Sequence, residues 1–314
     1  MYINAVSHYL PGTILSNNDL SKLNGLTEID IFKKSGIKER RKASSKENTN
    51  TMAIESIKPA IENLPYPIND IDLIIGCSYT PFDTVGTIAH AVQKHLNISN
   101  TRAIYLSTAC SSFVVALEVA EGLFATKKAS KALIVCSEHN SIYNNEADPI
   151  SGHLWGDGAA SVFISKERTS DKDIKIVDVF SSSQGNIGKS IDGVYVRPNK
   201  DRLKMPYGKD VYMYACKYMT DVTNQILQKN KLNINNLNYL IPHQANIRII
   251  DNVVCQLKFD INKTLVNIDF LGNTGCASAV IALSQNISKF KKNDIVVITV
   301  FGGGYSSGAA LLKM

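Results

Sequence analysis

Residues 108–117 read TACSSFVVAL, and residues 274–283 read TGCASAVIAL. Both decapeptides open on threonine–x–cysteine, pass through small residues and close on the same apolar pattern, at an offset of 166 residues. The same offset lays DLIIGC (72–77) over NYLIPH (238–243). Further on, LIVCS (133–137) matches IVVIT (295–299) at an offset of 162, and GAASVF (158–163) matches GAALLK (308–313). Four matches in one order mark a single internal duplication, and a duplication constrains the fold more than any one element does.

The duplicated pieces are strands and helices in alternation. IDLIIGCS (71–78), KALIVCSE (131–138), ASVFIS (160–165), NYLIPHQ (238–244), DIVVITVFGGG (294–304) and AALLKM (309–314) are short, apolar and bounded by turn residues. Such runs predict strands covered on both faces. Helical spacing is predicted over 86–96, 110–126, 209–229, 246–257 and 276–289. The class is therefore α/β, with two similar halves, residues 1–166 and 167–314, meeting at the polar stretch KERTSDKD (166–173).

Bulk properties remove several functions. The chain has 314 residues, 44% apolar and 20% charged, which suits a globular protein with a substantial core. Thirty-four basic and 28 acidic residues give a formal charge of +6, and KERRK (38–42) is the densest basic cluster. That is too little to argue for nucleic acid, but it suits an acidic protein partner or a phosphorylated ligand. No apolar run reaches the roughly 18 residues of a membrane span, and the N-terminus has no signal-peptide pattern. The six cysteines form no C-x-x-C pair and have no histidine at zinc-ligand spacing, so the expectation is a reduced, cytoplasmic protein with buried thiols and no metal.

Cys110 stands where a turn of small residues runs into an apolar helix. It is either a small core residue or a nucleophile whose thiolate the helix N-terminus stabilises. His243, at the end of a strand in IPHQANIR, is a structural histidine or a group aimed into a pocket. Asn273 in LGNTGCAS is a turn residue or a donor. VFGGG (300–304) is a tight turn or a set of backbone N–H groups for an oxyanion. In an α/β fold the pocket is expected beyond the carboxyl ends of the strands.

Taken together, TACSS, HQAN, GNTG and FGGG resemble the β-ketoacyl-acyl carrier protein synthase III family of the thiolase superfamily. YLPGTILSNNDL, KSGIKERR (34–41), WGDGAASV (155–162) and MPYGKDVYMYA (205–215) follow in the family order, so the likeness spans nearly the whole chain. It implies the thiolase fold, a layered αβαβα arrangement. It implies that Cys110 accepts an acyl group from a thioester primer on acyl carrier protein or coenzyme A, with the N–H groups of Cys110 and Gly303 as oxyanion hole. His243 and Asn273 would then assist decarboxylation of malonyl-acyl carrier protein, with no metal or cofactor. Phe301 would shield the site, and the family's homodimer would bring Val85 of one copy to the pocket of the other.

There are departures. The serine usual in GNTS is Gly275 here. The only tryptophan, Trp155, lies away from the place where the family stacks coenzyme A, and Lys34 stands where arginine is common. Arg248 and Lys258 are left as candidate contacts for an acidic carrier protein, and Lys34 remains a substrate-binding candidate. Three other readings share the fold. One is an acyltransferase to an alcohol, amine or thiol. The second is a partner subunit of a heterodimeric synthase, which an intact triad disfavours. The third is a degradative thiolase, disfavoured because the glycine turn has no second cysteine.

Overall fold

A computed structural model describes residues 1–197 and 202–314. In the first part of the chain, β1 (Tyr2–Tyr9) is followed by β2 (Thr13–Ser16), α1 (Asn17–Asn24), α2 (Glu28–Ser35) and β3 (Glu39–Lys42). Then come α3 (Thr49–Ile61), β4 (Leu73–Cys77), α4 (Ile88–Leu96), β5 (Arg102–Leu106), α5 (Ser112–Ala125), β6 (Lys131–Glu138), the single turn α6 (Asn140–Tyr143) and β7 (Gly158–Ser165). The second part holds β8 (Ile174–Ser183), the small pair β9 (Tyr195–Arg197) and β10 (Arg202–Lys204), and α7 (Gly208–Lys229). It continues with β11 (Tyr239–Pro242), α8 (Ile247–Leu257), α9 (Ile268–Leu271), α10 (Ser278–Asn286), β12 (Ile295–Gly302) and β13 (Ser306–Lys313).

Nine strands join in the order β11-β12-β13-β8-β1-β7-β6-β4-β5. The order is symmetric about the β1–β8 contact, where Tyr2 and Ile3 pair antiparallel with Lys175 and Ile174. Outward from it, each side repeats one plan: an antiparallel strand (β7 or β13), a second antiparallel strand (β6 or β12), then a parallel one (β4 or β11). The first side adds β5. On the second side that strand is reduced to a single bridge between Leu240 and Thr264.

The helices make the layers. α5 packs on β4 and β6 from one side and on β8 and β13 from the other, while α10 packs on β11 and β12 and on β1 and β7. These two helices form the middle layer, which is why both decapeptides are apolar with small residues. Phe113, Val114, Leu117 and Phe124 of α5 are buried, as are Val280, Ile281 and Leu283 of α10. Each such side chain contributes about 1.5–3 kcal/mol of burial free energy. α3 and α4 cover the outer face of the first side, and α7 covers that of the second. The result is a layered αβαβα arrangement. No helix among the described residues is long and apolar enough to cross a membrane.

The strands read from sequence at 71–78, 131–138, 160–165, 238–244, 294–304 and 309–314 are β4, β6, β7, β11, β12 and β13. β1 and β8, the two strands at the centre of symmetry, have no such signal. Only Ile3 is a buried hydrophobic residue in Tyr2–Tyr9, and β8 alternates buried and exposed positions at its start.

Candidate active site

The turn between β5 and α5 places Cys110. Ala109 sits at φ +50°, in the left-handed region that a residue with a Cβ enters at a cost of roughly 1–2 kcal/mol. Two serines hold it there. Ser112 Oγ accepts from Thr108 N at 2.9 Å and donates to the Ala109 carbonyl at 2.6 Å. Ser111 Oγ donates to the Thr108 carbonyl at 2.6 Å. The small residues of TACSS therefore serve the turn rather than a helix cap: Ser111 is the N-cap, yet its side chain makes no capping bond.

The helix itself begins at Ser112, two residues beyond the cysteine. Cys110 is half-buried, and its surroundings oppose the lowering of its pKa expected from the helix terminus. Burial pushes its thiol up, and the nearby Glu138 carboxylate pushes it further, while the Cys110 N–H and the Tyr79 hydroxyl act in the opposite sense.

The glycine turn after β12 lies directly on this elbow. A Cβ at Gly302 would stand 2.8 Å from both Cys110 N and the Thr108 carbonyl, so only glycine permits the approach. Gly303 follows, lining the space next to Cys110. Among the described residues neither the Cys110 nor the Gly303 N–H donates to a backbone carbonyl outside the regular elements.

His243 follows β11, and its N–H bonds the Thr299 carbonyl of β12 at 2.8 Å. Its side chain is buried, with Nδ1 2.7 Å from Ser278 Oγ at the start of α10. Ser278 Oγ also accepts from Gln244 N at 3.3 Å. The direction of the Ser278–His243 bond follows the ring tautomer; with the serine as donor to Nδ1, the ring proton is on Nε2. Burial lowers the His243 pKa to about 4, so the ring is neutral at pH 7.

Asn273 is buried in the loop between α9 and α10. Its backbone forms an isolated bridge with Trp155, in the segment before β7: Asn273 N donates to the Leu154 carbonyl at 2.8 Å, and its own carbonyl accepts from Gly156 N at 3.0 Å. Its Oδ1 accepts from Gly275 N at 2.9 Å. The side-chain amide is thus oriented by its oxygen, and its N–H₂ is left as donor.

Two cavities meet at Cys110. The smaller, about 80 Å³, is lined by Cys110, His243, Asn273, Phe301, Gly302 and Gly303 together with residues of α7 and α8. The larger, about 320 Å³, lies on the other side of Cys110 against Tyr79, Pro81, Tyr105 and Val196. Cys110, Trp155, Val194 and Gly303 line both. The structure thus brings together Cys110, His243, Asn273, Phe301 and Gly303.

It does not bring the other candidates into either cavity. Val85 is 86% exposed and lines neither space in its own chain. Arg248 and Lys34 are also exposed, but they sit near the smaller cavity's rim. Arg248 Nη2 bonds the Lys33 carbonyl at 2.5 Å, and the Lys34 carbonyl accepts from Asn246, a lining residue, at 3.0 Å. Gly36 makes this junction possible: a Cβ there would lie 2.3 Å from Ile247 Cγ2. Trp155 is 5% exposed and so offers no face for stacking an incoming base from solvent. Cys255 is exposed on α8, against the expectation that it is buried like Cys77, Cys136, Cys216 and Cys276.

Three further residues near the site are absent from the candidates drawn from the sequence. Ser278 orients His243. Glu138, buried at the end of β6, accepts from Ser78 Oγ (2.9 Å), Thr80 Oγ1 (2.5 Å) and the backbone N–H groups of Tyr79 and Thr80 (both 3.2 Å). Burial pushes its carboxyl up to about 7. Tyr79 follows Ser78 in that loop and lines the larger cavity. For Ser278 and Gln244 a usable signal exists in hindsight, since polar residues inside apolar stretches are unfavourable unless bonded.

Comparison with known proteins gives one consistent result. The sequence model described as 3-oxoacyl-[acyl-carrier-protein] synthase III matches residues 105–185, and the model of its C-terminal part matches residues 227–314. A β-ketoacyl-[acyl-carrier-protein] synthase III of Clostridium perfringens is 35% identical, with 98% of this chain and 97% of the relative covered. The crystal structure of the 3-oxoacyl-[acyl-carrier-protein] synthase III from Aquifex aeolicus superposes with a TM-score of 0.92 at 31% identity, covering 100% and 99% of the two chains. A priming β-ketosynthase of the R1128 polyketide pathway superposes with a TM-score of 0.89 at 25% identity, covering 99% and 95%.

Proposed function

The chain belongs to the β-ketoacyl-[acyl-carrier-protein] synthase III family, condensing enzymes of the thiolase fold, and from that premise we propose that Cys110, His243 and Asn273 divide its reaction into two half-reactions. The observation that carries this reading is the pair of cavities that share Cys110, one roomy, the other lined by the uncharged side chains of His243 and Asn273.

In the first half-reaction the Cys110 sulfur attacks the carbonyl of a thioester primer. The N–H groups of Cys110 and Gly303 hold the developing oxyanion, and the carrier thiol leaves. The acyl chain then occupies the larger cavity. In the second, the thioester of malonyl-acyl carrier protein enters the smaller cavity. As CO₂ departs, its electron pair forms an enolate whose oxygen is held by His243 Nε2–H and the Asn273 amide. The enolate carbon attacks the acyl carbon, the Cys110 sulfur leaves, and a β-ketoacyl thioester results. Neutral donors suit this step: an uncharged His243 binds the thioester carbonyl without attracting the malonyl carboxylate that must depart.

Lys34 and Arg248, at the rim of the smaller cavity, would meet an acidic carrier protein. The assembly is a homodimer in which Val85 of one copy closes the larger cavity of the other. The transferase class follows from the acyl transfer to Cys110. Single-turnover assays test the division of labour. His243→Ala and Asn273→Ala should each keep acylation of Cys110 and lose about 10²–10³ in decarboxylation. If both still condense at the parent rate, the roles assigned here are wrong.

A further inference from the structure

The larger cavity contains a polar group that the two half-reactions above leave unused. Tyr79 lies in the loop after β4, and its hydroxyl is buried with no hydrogen-bond partner among the described residues. An unpaired buried donor is unfavourable, and native structures keep few of them. The loop has no freedom to turn the ring away. Ser78, Tyr79 and Thr80 are all tied to the Glu138 carboxylate, through two hydroxyls and two backbone N–H groups. On its far side the ring abuts Gly275, where a Cβ would stand 2.7 Å from both Tyr79 Cε1 and the hydroxyl oxygen. Gly275 is the position at which the family's usual serine is absent, and it adopts φ +58°. The space a side chain would take there is filled by Tyr79 and by Glu138 Cγ, also 2.7 Å from that Cβ, both arriving from the first half of the chain.

The hydroxyl thereby belongs to the wall of the cavity that the nucleophile also lines. It has Asn140 and the sulfur as its polar neighbours, and toward the sulfur it favours the charged form. Tyr79 itself keeps its proton, since burial and the neighbouring Cys110 and Glu138 charges push its pKa well above the ordinary value. The sulfur needs such a donor. It is desolvated, and the Glu138 carboxylate adds an unfavourable charge nearby.

We propose that Tyr79 is a further catalytic residue, whose hydroxyl donates a hydrogen bond to the Cys110 sulfur whenever that sulfur is anionic. This rests on the assignment of Cys110 as nucleophile. In acylation the sulfur loses its proton to solvent, the sulfur–carbon bond forms, and the carrier thiolate departs. In condensation the sulfur–carbon bond breaks and the sulfur leaves with its electron pair. Tyr79 donates in both and is never deprotonated. The hydroxyl without a partner in the thiol form acquires one in the thiolate form.

The test is the pH dependence of Cys110 alkylation by iodoacetamide, a probe that needs neither carrier protein nor condensation. It is run in a Cys255→Ser background, because Cys255 is exposed, and the modified peptide is identified by mass. Tyr79→Phe is expected to move the alkylation midpoint up by about one to two pH units, the range for a hydrogen bond to a charged group. Its melting temperature should be unchanged or higher, because the hydroxyl it removes has no partner. A hydroxyl with a merely structural role would lower the melting temperature and leave the pH profile in place. Gly275→Ala, which drives a Cβ into the hydroxyl, provides a second route and should shift the midpoint in the same direction. Superimposable or downward-shifted profiles in both variants would overturn the proposal. Absence of any acyl transfer to Cys110 in the parent protein would instead remove the functional reading on which it rests.

Discussion

Ser278 Oγ lies 2.7 Å from His243 Nδ1, and the same oxygen accepts the Gln244 N–H. The pair spans the two secondary elements that the duplication places opposite the nucleophile, the end of β11 and the start of α10. With Nδ1 occupied by a hydroxyl donor, the ring presents Nε2–H. Ser278→Ala should therefore leave acylation intact and lower decarboxylation about 10-fold or more, as the tautomer is no longer fixed. Ser278→Thr should restore most of the rate. Equal decarboxylation in Ser278→Ala and parent would show that the serine does not set the tautomer.

The pH dependence has a definite sign. His243 has a folded pKa of about 4, below the ordinary value near 6.5, because its ring is buried. Its neutral form is therefore retained from pH 8 down to about 5. Malonyl decarboxylation measured alone should be flat with respect to His243 over that range and fall only as pH approaches 4. A requirement for imidazolium would instead make the rate climb as pH drops below about 6.5. The same depressed pKa gives a contribution to stability that is full above about 6.5 and is lost as pH falls from there toward 4. His153, also buried and also lowered to about 4, acts in the same sense.

Gly302 supports the elbow by having no side chain. Gly302→Ala would insert a Cβ 2.8 Å from Cys110 N, forcing β12 and the elbow apart. The expected cost is about 1–3 kcal/mol of stability, read as a lower denaturant midpoint, together with a drop in acylation larger than the drop in decarboxylation. A variant with parent acylation kinetics would mean that the glycine turn is not part of the acylation site.

Much of this site was legible in the sequence, for a reason that lies in its construction. Cys110 and His243 sit at helix and strand ends that the duplication aligns: the 166-residue offset lays Cys110 over Cys276 and Cys77 over His243. What escaped reading depends on contacts between distant segments. The hydrogen bond from Ser278 to His243 crosses 35 residues, that from Ser78 to Glu138 crosses 60, and the Tyr79 ring meets Gly275 across the two halves. No local pattern encodes such pairs. The sulfur's environment is hidden for a related reason: a helix terminus is visible in sequence, whereas the Glu138 charge and the glycine turn reach the elbow from distant segments. β1 and β8 were missed because their pairing partners, rather than their composition, make them strands.

The rim of the smaller cavity yields a prediction about the donor. Lys34 and Arg248 are cationic and exposed there, and Trp155 is too buried to stack an adenine. Loading of Cys110 should be faster from an acyl carrier protein than from the matching acyl coenzyme A, and should slow as salt rises. Arg248→Glu should slow loading from the carrier protein and leave coenzyme A loading little changed. Equal or faster loading from coenzyme A would mean that the adenine is held by other residues.

The most direct measurement follows the acyl group itself. The protein is incubated with an acyl thioester, weighed intact, digested and mapped, and then mixed with malonyl-acyl carrier protein. One acyl group should appear per chain, on Cys110 alone, and it should be discharged as a β-ketoacyl thioester with one CO₂ released per turnover. An adduct on Cys276, Cys136 or Cys255 with Cys110 bare, or an acyl group on Cys110 that malonyl-acyl carrier protein cannot discharge, would contradict the assignment of this chain's cysteine, histidine and asparagine to a decarboxylative condensation.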